Sequence, residues 1–161
     1  MIRAGRNRNY EMRVDGPWIF GLVDCSLQPN ESFKSGEVRL FYVERRNRDT
    51  LIPICEEHVE NGSRIWSDEW RAYASLSDNF VHQSVNHSQR YVNENGVHSQ
   101  NIERVWKSVK HKIMKRMLGT SQRFITSHLA EFCWRSRHER TKFELLESFL
   151  TSASRLYPIA W

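Results

Sequence analysis

Two apolar runs near the start leave this chain few ways to fold. WIFGLV, residues 18–23, is apolar throughout, and GEVRLFYVE, residues 36–44, sets Val38, Leu40 and Tyr42 against Arg39 and Phe41. Runs of this length predict strands, and the turn-rich QPNESFKSG between them predicts an antiparallel hairpin. The period then changes. DTLIPICEEHVENG places Leu51, Ile54, Cys55 and His58 on one helical face, with Asp49 or Thr50 as N-cap, Pro53 in the tolerant first turn and Gly62 as the stop. A short strand, Arg64 to Trp66, follows, with Ser67 and Asp68 at its carboxyl end and a short helix expected from Glu69 to about Leu76. Strand, helix and strand in this order predict a crossover that sets the flanking strands parallel in one sheet.

Beyond it, Val81 to Val85 reads as another strand, followed by a polar, Asn-rich loop to residue 100. In NIERVWKSVKHKIMKRML, Ile102, Val105, Trp106, Val109, Ile113 and Met117 recur at helical spacing, predicting a long amphipathic helix. SQRFITSHLAEFCWRSRH and KFELLESFLTSASRLY predict two more, separated by a charged turn near 138–141. The 161 residues suffice for one core, and no repeat or linker divides them. The expectation is a single α/β domain over 1–161, a mixed sheet flanked by helices, with a basic arm over 1–16.

Charge narrows the partners. The chain carries net +5 with a pI near 9.3. Residues 101–140 hold ten Lys or Arg against three Glu, so most of the excess lies on the C-terminal helices. Nucleic acid is the leading anionic partner, and solvated helix faces are the simpler alternative. Cys25, Cys55 and Cys133 are odd in number and far apart, which fits neither a disulfide framework nor a zinc ribbon. MIRAGRNRNYEMR has no apolar signal core, and no run of 18 apolar residues occurs, so the reading excludes a standard secretion signal and a membrane span. An intracellular protein is expected, nuclear if its host is eukaryotic, with no small-molecule substrate.

In open α/β sheets, reactive groups gather at the carboxyl ends of strands, which is where Asp68 stands. Glu103 lies 35 positions later at the start of the long helix, on a face shared with Lys107 and Lys110. Two such acids could hold Mg²⁺, a hard ion that takes oxygen ligands and keeps waters for a phosphate to replace. Each acid also has a plain reading: Asp68 as a cap for the helix after it, Glu103 as half of a surface pair with Lys107. His82, His87 and His98, with Asn86 and Asn101, lack the spacing of a zinc site. Trp70 and Tyr73 suit packing of the short helix on the sheet, with base stacking by Trp70 the alternative.

The series WIFGLVD, SRIWSDEWRAYASL, HQSVNHSQRYVNENGVHSQNIERVWKSVKHK and SHLAEFCWRSRH resembles, in order and spacing, the DDE transposase domain of Merlin-type DNA transposons and their bacterial ISXO2-like relatives. The match runs from about Arg6 to His138, taking in part of the basic arm and a core of 17–138, and leaves 139–161 as a C-terminal helix. The resemblance implies a ribonuclease H-like fold, Mg²⁺- or Mn²⁺-dependent DNA cleavage and strand transfer, and transposon-end DNA as partner, with a homo-oligomer as one option for assembly. It implies that Asp68 is the second catalytic acid and that Glu103, or Asn101 in its place, is the third. Asp68 and Glu103 would be the metal ligands. Lys107, Lys110, Lys112 and Arg71 would contact DNA, Lys110 matching a basic residue seven positions after the third acid.

The family's first Asp lies on a strand upstream of a segment like GRNRNYEMR, and this chain begins a few residues before it. Neither Asp15 nor Asp24 matches that position. The expectation is therefore a domain lacking most of its first strand and one of three carboxylates, inactive in cleavage. The alternative is a non-catalytic DNA-binding or assembly module derived from a transposase.

Overall fold

Strand β1 (Trp18–Leu27) and strand β2 (Phe33–Val43) form the expected antiparallel hairpin, with Trp18 opposite Val43 and Phe20 opposite Phe41. The computed structural model describes residues 18–30, 32–85, 99–138 and 141–157. The strands outrun their apolar stretches because ladder bonds need no apolar side chain. A bulge between Val23 and Cys25 shifts the register, and the polar ends continue to a tight loop where Asn30 accepts from the Ser32 amide and hydroxyl.

Why WIFGLV is apolar on both phases becomes clear from its two faces. Phe20 and Val43 pack with Leu51, Cys55, Leu76 and Phe80, flanked by Leu22 and Phe41. On the other face Val38 packs with Val105, Val109, Ile113, Ile125, Leu129 and Cys133, flanked by Ile19, Val23, Leu40 and Tyr42. The hairpin is thus the middle of three layers, and a strand covered on both faces must be apolar throughout.

Helix α1 (Arg48–His58) carries Leu51 and Cys55 into the first cluster. Burial there pushes the Cys55 thiol up to about 11. Its cap is Asn47, whose side chain accepts from the Thr50 amide at 3.1 Å, rather than Asp49 or Thr50. The helix ends at His58, four residues before Gly62, because the Val59 amide closes on the Cys55 carbonyl in extended geometry. Gly62 serves instead in the following turn, at φ 81°.

Strand β3 (Arg64–Asp68) pairs parallel with β4 (Val81–Val85). Two expectations are corrected here. Among the described residues the strands form two separate two-stranded sheets, β1–β2 and β3–β4, so α1 crosses between sheets and not between strands of one sheet. β3 takes its ladder partner from β4, and a cavity lies between it and β1. The helix expected over 69–76 is replaced by 3-10 turns at Arg71–Tyr73 and Leu76–Asp78. Asp68 Oδ1 accepts from the Trp70 amide at 3.3 Å while the Trp70 indole donates to the Arg46 carbonyl. Trp70 is thereby held extended, at ψ 126°, and a continuous helix cannot start before Arg71.

Helix α2 (Gln100–Lys110) buries Asn101, Val105 and Val109, then widens into a π-helical turn at His111–Arg116. It stops at Leu118 and Gly119, both at positive φ, with the Gly119 amide bonded to the Ile113 carbonyl. Met117, placed on the apolar stripe by periodicity, is exposed, because the π turn rotates it off that stripe. Helix α3 (Gln122–Arg137) lays Ile125, Leu129 and Cys133 against the hairpin at four-residue spacing. Helix α4 (Lys142–Leu156) starts on a capping box between Thr141 and Glu144, buries no residue, and leaves Phe143, Leu146, Phe149 and Leu150 exposed. No helix among the described residues is long and apolar enough to cross a membrane. The basic arm and Asp15, and the VNHS loop with Asn86, His87 and His98, lie outside the described residues.

Candidate functional site

A cavity of about 400 Å³ opens between β1 and β3, lined by Phe20 and Gly21 of β1, Trp66 of β3 and Trp106 of α2. Among the described residues the two sheets do not hydrogen-bond to one another across this line. Asp68 enters its wall as the last residue of β3, and Glu103 as a first-turn residue of α2. The sequence-predicted pair therefore shares one cavity despite its separation in the chain.

Gly21 sets how close α2 comes. A Cβ there would lie 2.8 Å from two ring carbons of Trp106, so only glycine lets the indole rest on β1. Glu103 sits one turn before Trp106 on the same helix and is placed by that contact. Its carboxylate also accepts from the Ser99 hydroxyl at 2.9 Å, which ties it to the helix start. On the other wall, the Ser67 hydroxyl donates to the Asp68 carbonyl at 2.7 Å and lies 2.8 Å from His82 Nε2 on β4. A hydroxyl has one proton, so the ring supplies the second hydrogen bond through an Nε2–H. Burial lowers the His82 pKa, which favours the neutral ring in this role.

Electrostatics connect the wall residues. The Tyr73 hydroxyl titrates well above its usual value, mainly through burial and also through the nearby Asp68 charge, with Arg46 acting in the opposite sense. Asp68 thus accepts from the Trp70 amide ahead of the 3-10 turn, whose own cap residue is Trp70, and is also one of the residues that line the cavity.

The remaining candidates fall elsewhere. Asn101 is not among the residues that line the cavity: it is buried, with Nδ2 donating to Cys25 Sγ at 3.1 Å and Oδ1 accepting from Arg104. Lys107 and Lys110 are exposed on α2, and Arg71 is exposed in its 3-10 turn. Lys112 is engaged within the fold, 2.9 Å from Glu131 of α3, which also binds Arg135 at 2.7 Å. Those two cations hold the Glu131 carboxyl below its usual range. Sequence reasoning missed Arg46, which sits against Trp18 and Trp70 at the cavity wall. Its signal, one Arg among several in ERRNR, carries no spacing that marks it.

Two carboxylates in a cavity suit an ion that takes hard oxygen donors and retains waters, such as Mg²⁺. No group of three His, Cys, Asp or Glu that could hold a metal occurs among the described residues, so Asp68 and Glu103 would supply a sparse ligand set.

Similarity to known proteins bears on what such a cavity serves. An uncharacterized transposase-like protein of Haemophilus influenzae is 29% identical over 97 residues, spanning 60% of this chain and 77% of that protein. No solved structure matches significantly. The profile of the ISXO2-like transposase domain matches residues 3–137, from ahead of β1 through the end of α3. That stretch takes in both cavity carboxylates, the strand and helix that carry them, and the hairpin ahead of both, and the chain belongs to the ISXO2-like transposase domain family.

Proposed function

We propose that this chain is the DNA-handling part of a transposase catalytic domain, with Asp68 and Glu103 as two members of a metal-binding carboxylate set. The observation that carries the reading is their convergence on one cavity from β3 and α2. When bound there, Mg²⁺ would supply charge to polarise a DNA phosphate. The protein's own part is positional: the Trp70 amide and Ser99 hydroxyl orient the two carboxylates, and Trp106 lines the cavity beside Glu103.

The fold is read as ribonuclease H-like. The support is that both sheets open onto the same cavity. Glu103 is preferred to Asn101 as the acidic partner because Asn101 is buried and does not line the cavity. Lys107 and Lys110, exposed beyond Glu103 on the same helix, suit phosphate contacts. Lys112, held by Glu131, suits helix packing.

Among the described residues Asp68 and Glu103 are the carboxylates that line the cavity, and two bind a divalent ion more weakly than three and do not make a two-ion clamp. The expected result is association with duplex DNA that weakens steeply with salt, together with no Mg²⁺-dependent nicking of the same duplex. Gel-based nicking and fluorescence anisotropy across a salt series check both. Affinity flat with salt would remove the DNA reading. Nicking that Asp68→Ala abolishes would overturn the inactivity and leave the carboxylate assignment standing.

A further inference from the structure

Arg46 lies between β2 and α1, with its guanidinium carbon 4.0 Å from the Trp18 ring centroid and 4.2 Å from that of Trp70. The Trp70 indole N–H donates to the Arg46 backbone carbonyl at 3.1 Å, so one tryptophan fixes both the loop and the side chain it carries. Among the described residues no carboxylate pairs with Arg46. A cation that lacks an acid partner and is instead stacked on aromatic rings has its π faces used. Its N–H donors, which lie in the guanidinium plane, remain available. Trp18, Trp70 and Arg46 all line the same cavity as Asp68. Carboxylates repel a DNA backbone unless cations stand beside them, and Arg46 stands on the Asp68 wall.

We propose that Arg46 is a phosphate-binding residue of this cavity, held by Trp18 and Trp70 so that its in-plane N–H groups take one phosphodiester of a DNA strand entering beside Asp68. The inference rests on the DNA reading above. It also reassigns Trp70: the indole acts by orienting Arg46, and the ring face turned to the guanidinium is not available to a base. Bidentate recognition needs the guanidinium fork, so lysine at this position would keep the charge and lose the paired contact.

The test uses the full chain, with thermal unfolding of each variant recorded alongside. Affinity for a single-stranded oligonucleotide is measured across a salt series for the wild type, Arg46→Ala, Arg46→Lys and the α4 surface control Lys142→Ala. In parallel, the Arg46 Nε–Hε NMR signal is followed during titration with the oligonucleotide and, separately, with inorganic phosphate. Arg46→Ala is expected to weaken binding about tenfold and lower the salt slope by roughly 0.7, the increment for one single-strand phosphate contact. Arg46→Lys should keep the slope and lose part of the affinity, Lys142→Ala should change neither, and the Arg46 signal should move with the oligonucleotide. If Arg46→Ala binds with unchanged slope and affinity, the inference is overturned while the DNA reading stands. If the wild type shows no salt-dependent DNA binding, the DNA reading fails. An Arg46 signal that shifts with inorganic phosphate then still upholds an anion site, and a signal that stays still overturns it.

Discussion

Gly21→Val is expected to lower the stability of this domain by about 2–3 kcal/mol, the upper part of the range for inserting methyl groups into a packed contact. The added Cβ alone would stand 2.8 Å from Trp106 Cη2 and Cζ2 and 3.0 Å from Leu40 Cδ2, and valine adds two methyls beyond it. Strand propensity works the other way, since valine favours a pleated strand over glycine, but that scale spans only about 1 kcal/mol in total. The steric term wins. Because Trp106 cannot retreat without moving α2, the loss should couple to the site: Glu103, one turn earlier, shifts with the helix. A double-mutant cycle with Trp106→Leu, read by urea denaturation, should return a coupling of at least about 1 kcal/mol, because the smaller side chain vacates the space valine needs. Equal and additive losses would show that α2 is not seated by this contact.

The second large effect lies in the layer beneath. Leu129 is 1% exposed, one turn from both Ile125 and Cys133, and packs α3 onto the hairpin through Val38 and its neighbours. Leu129→Ala should cost about 2–5 kcal/mol, the transfer loss plus the cavity it leaves. Lys112→Ala makes a useful comparison, since it removes the 2.9 Å ion pair between the end of α2 and Glu131 of α3. That pair is partly solvated, with the Glu131 side chain 42% exposed, and its loss should cost under about 1 kcal/mol. The order of the two urea midpoints therefore decides whether apolar packing or the ion-pair network holds α3 in place. Leu129→Ala is expected to show much the larger fall.

Much of this architecture is legible in the residues. Hairpin, α1, both short strands, α2 and α3 follow from apolar period, since each packs a face whose spacing is written in sequence, whereas α4 carries the period but buries no residue. The features that depart from expectation are decided by polar side chains and by tertiary space. The Asn47 cap lies two residues before Asp49, and nothing in NRDT distinguishes one cap-forming residue from the next. The helix expected after Asp68 gives way to an aspartate and an indole that bind backbone atoms, one of them 24 residues away. The single sheet follows from a crossover rule that assumes both strands share a ladder, whereas β3 pairs with β4 and faces β1 across a cavity. That Asp68 and Glu103 line one cavity follows from their places at a strand end and a helix start. The place of Arg46 is not readable in this way, because it depends on two tryptophans brought to it by β1 and by the turn after β3.

Asp68 and Glu103 acting on one ion is the central claim. Titration of the full chain with Mn²⁺, read as paramagnetic broadening of backbone amide signals, tests this most directly. Broadening should appear together at the end of β3 and the first turn of α2, should be lost in both Asp68→Asn and Glu103→Gln, and should persist in Asn101→Ala. Broadening confined to one of the two elements, or unchanged by either carboxylate substitution, would contradict a shared metal site.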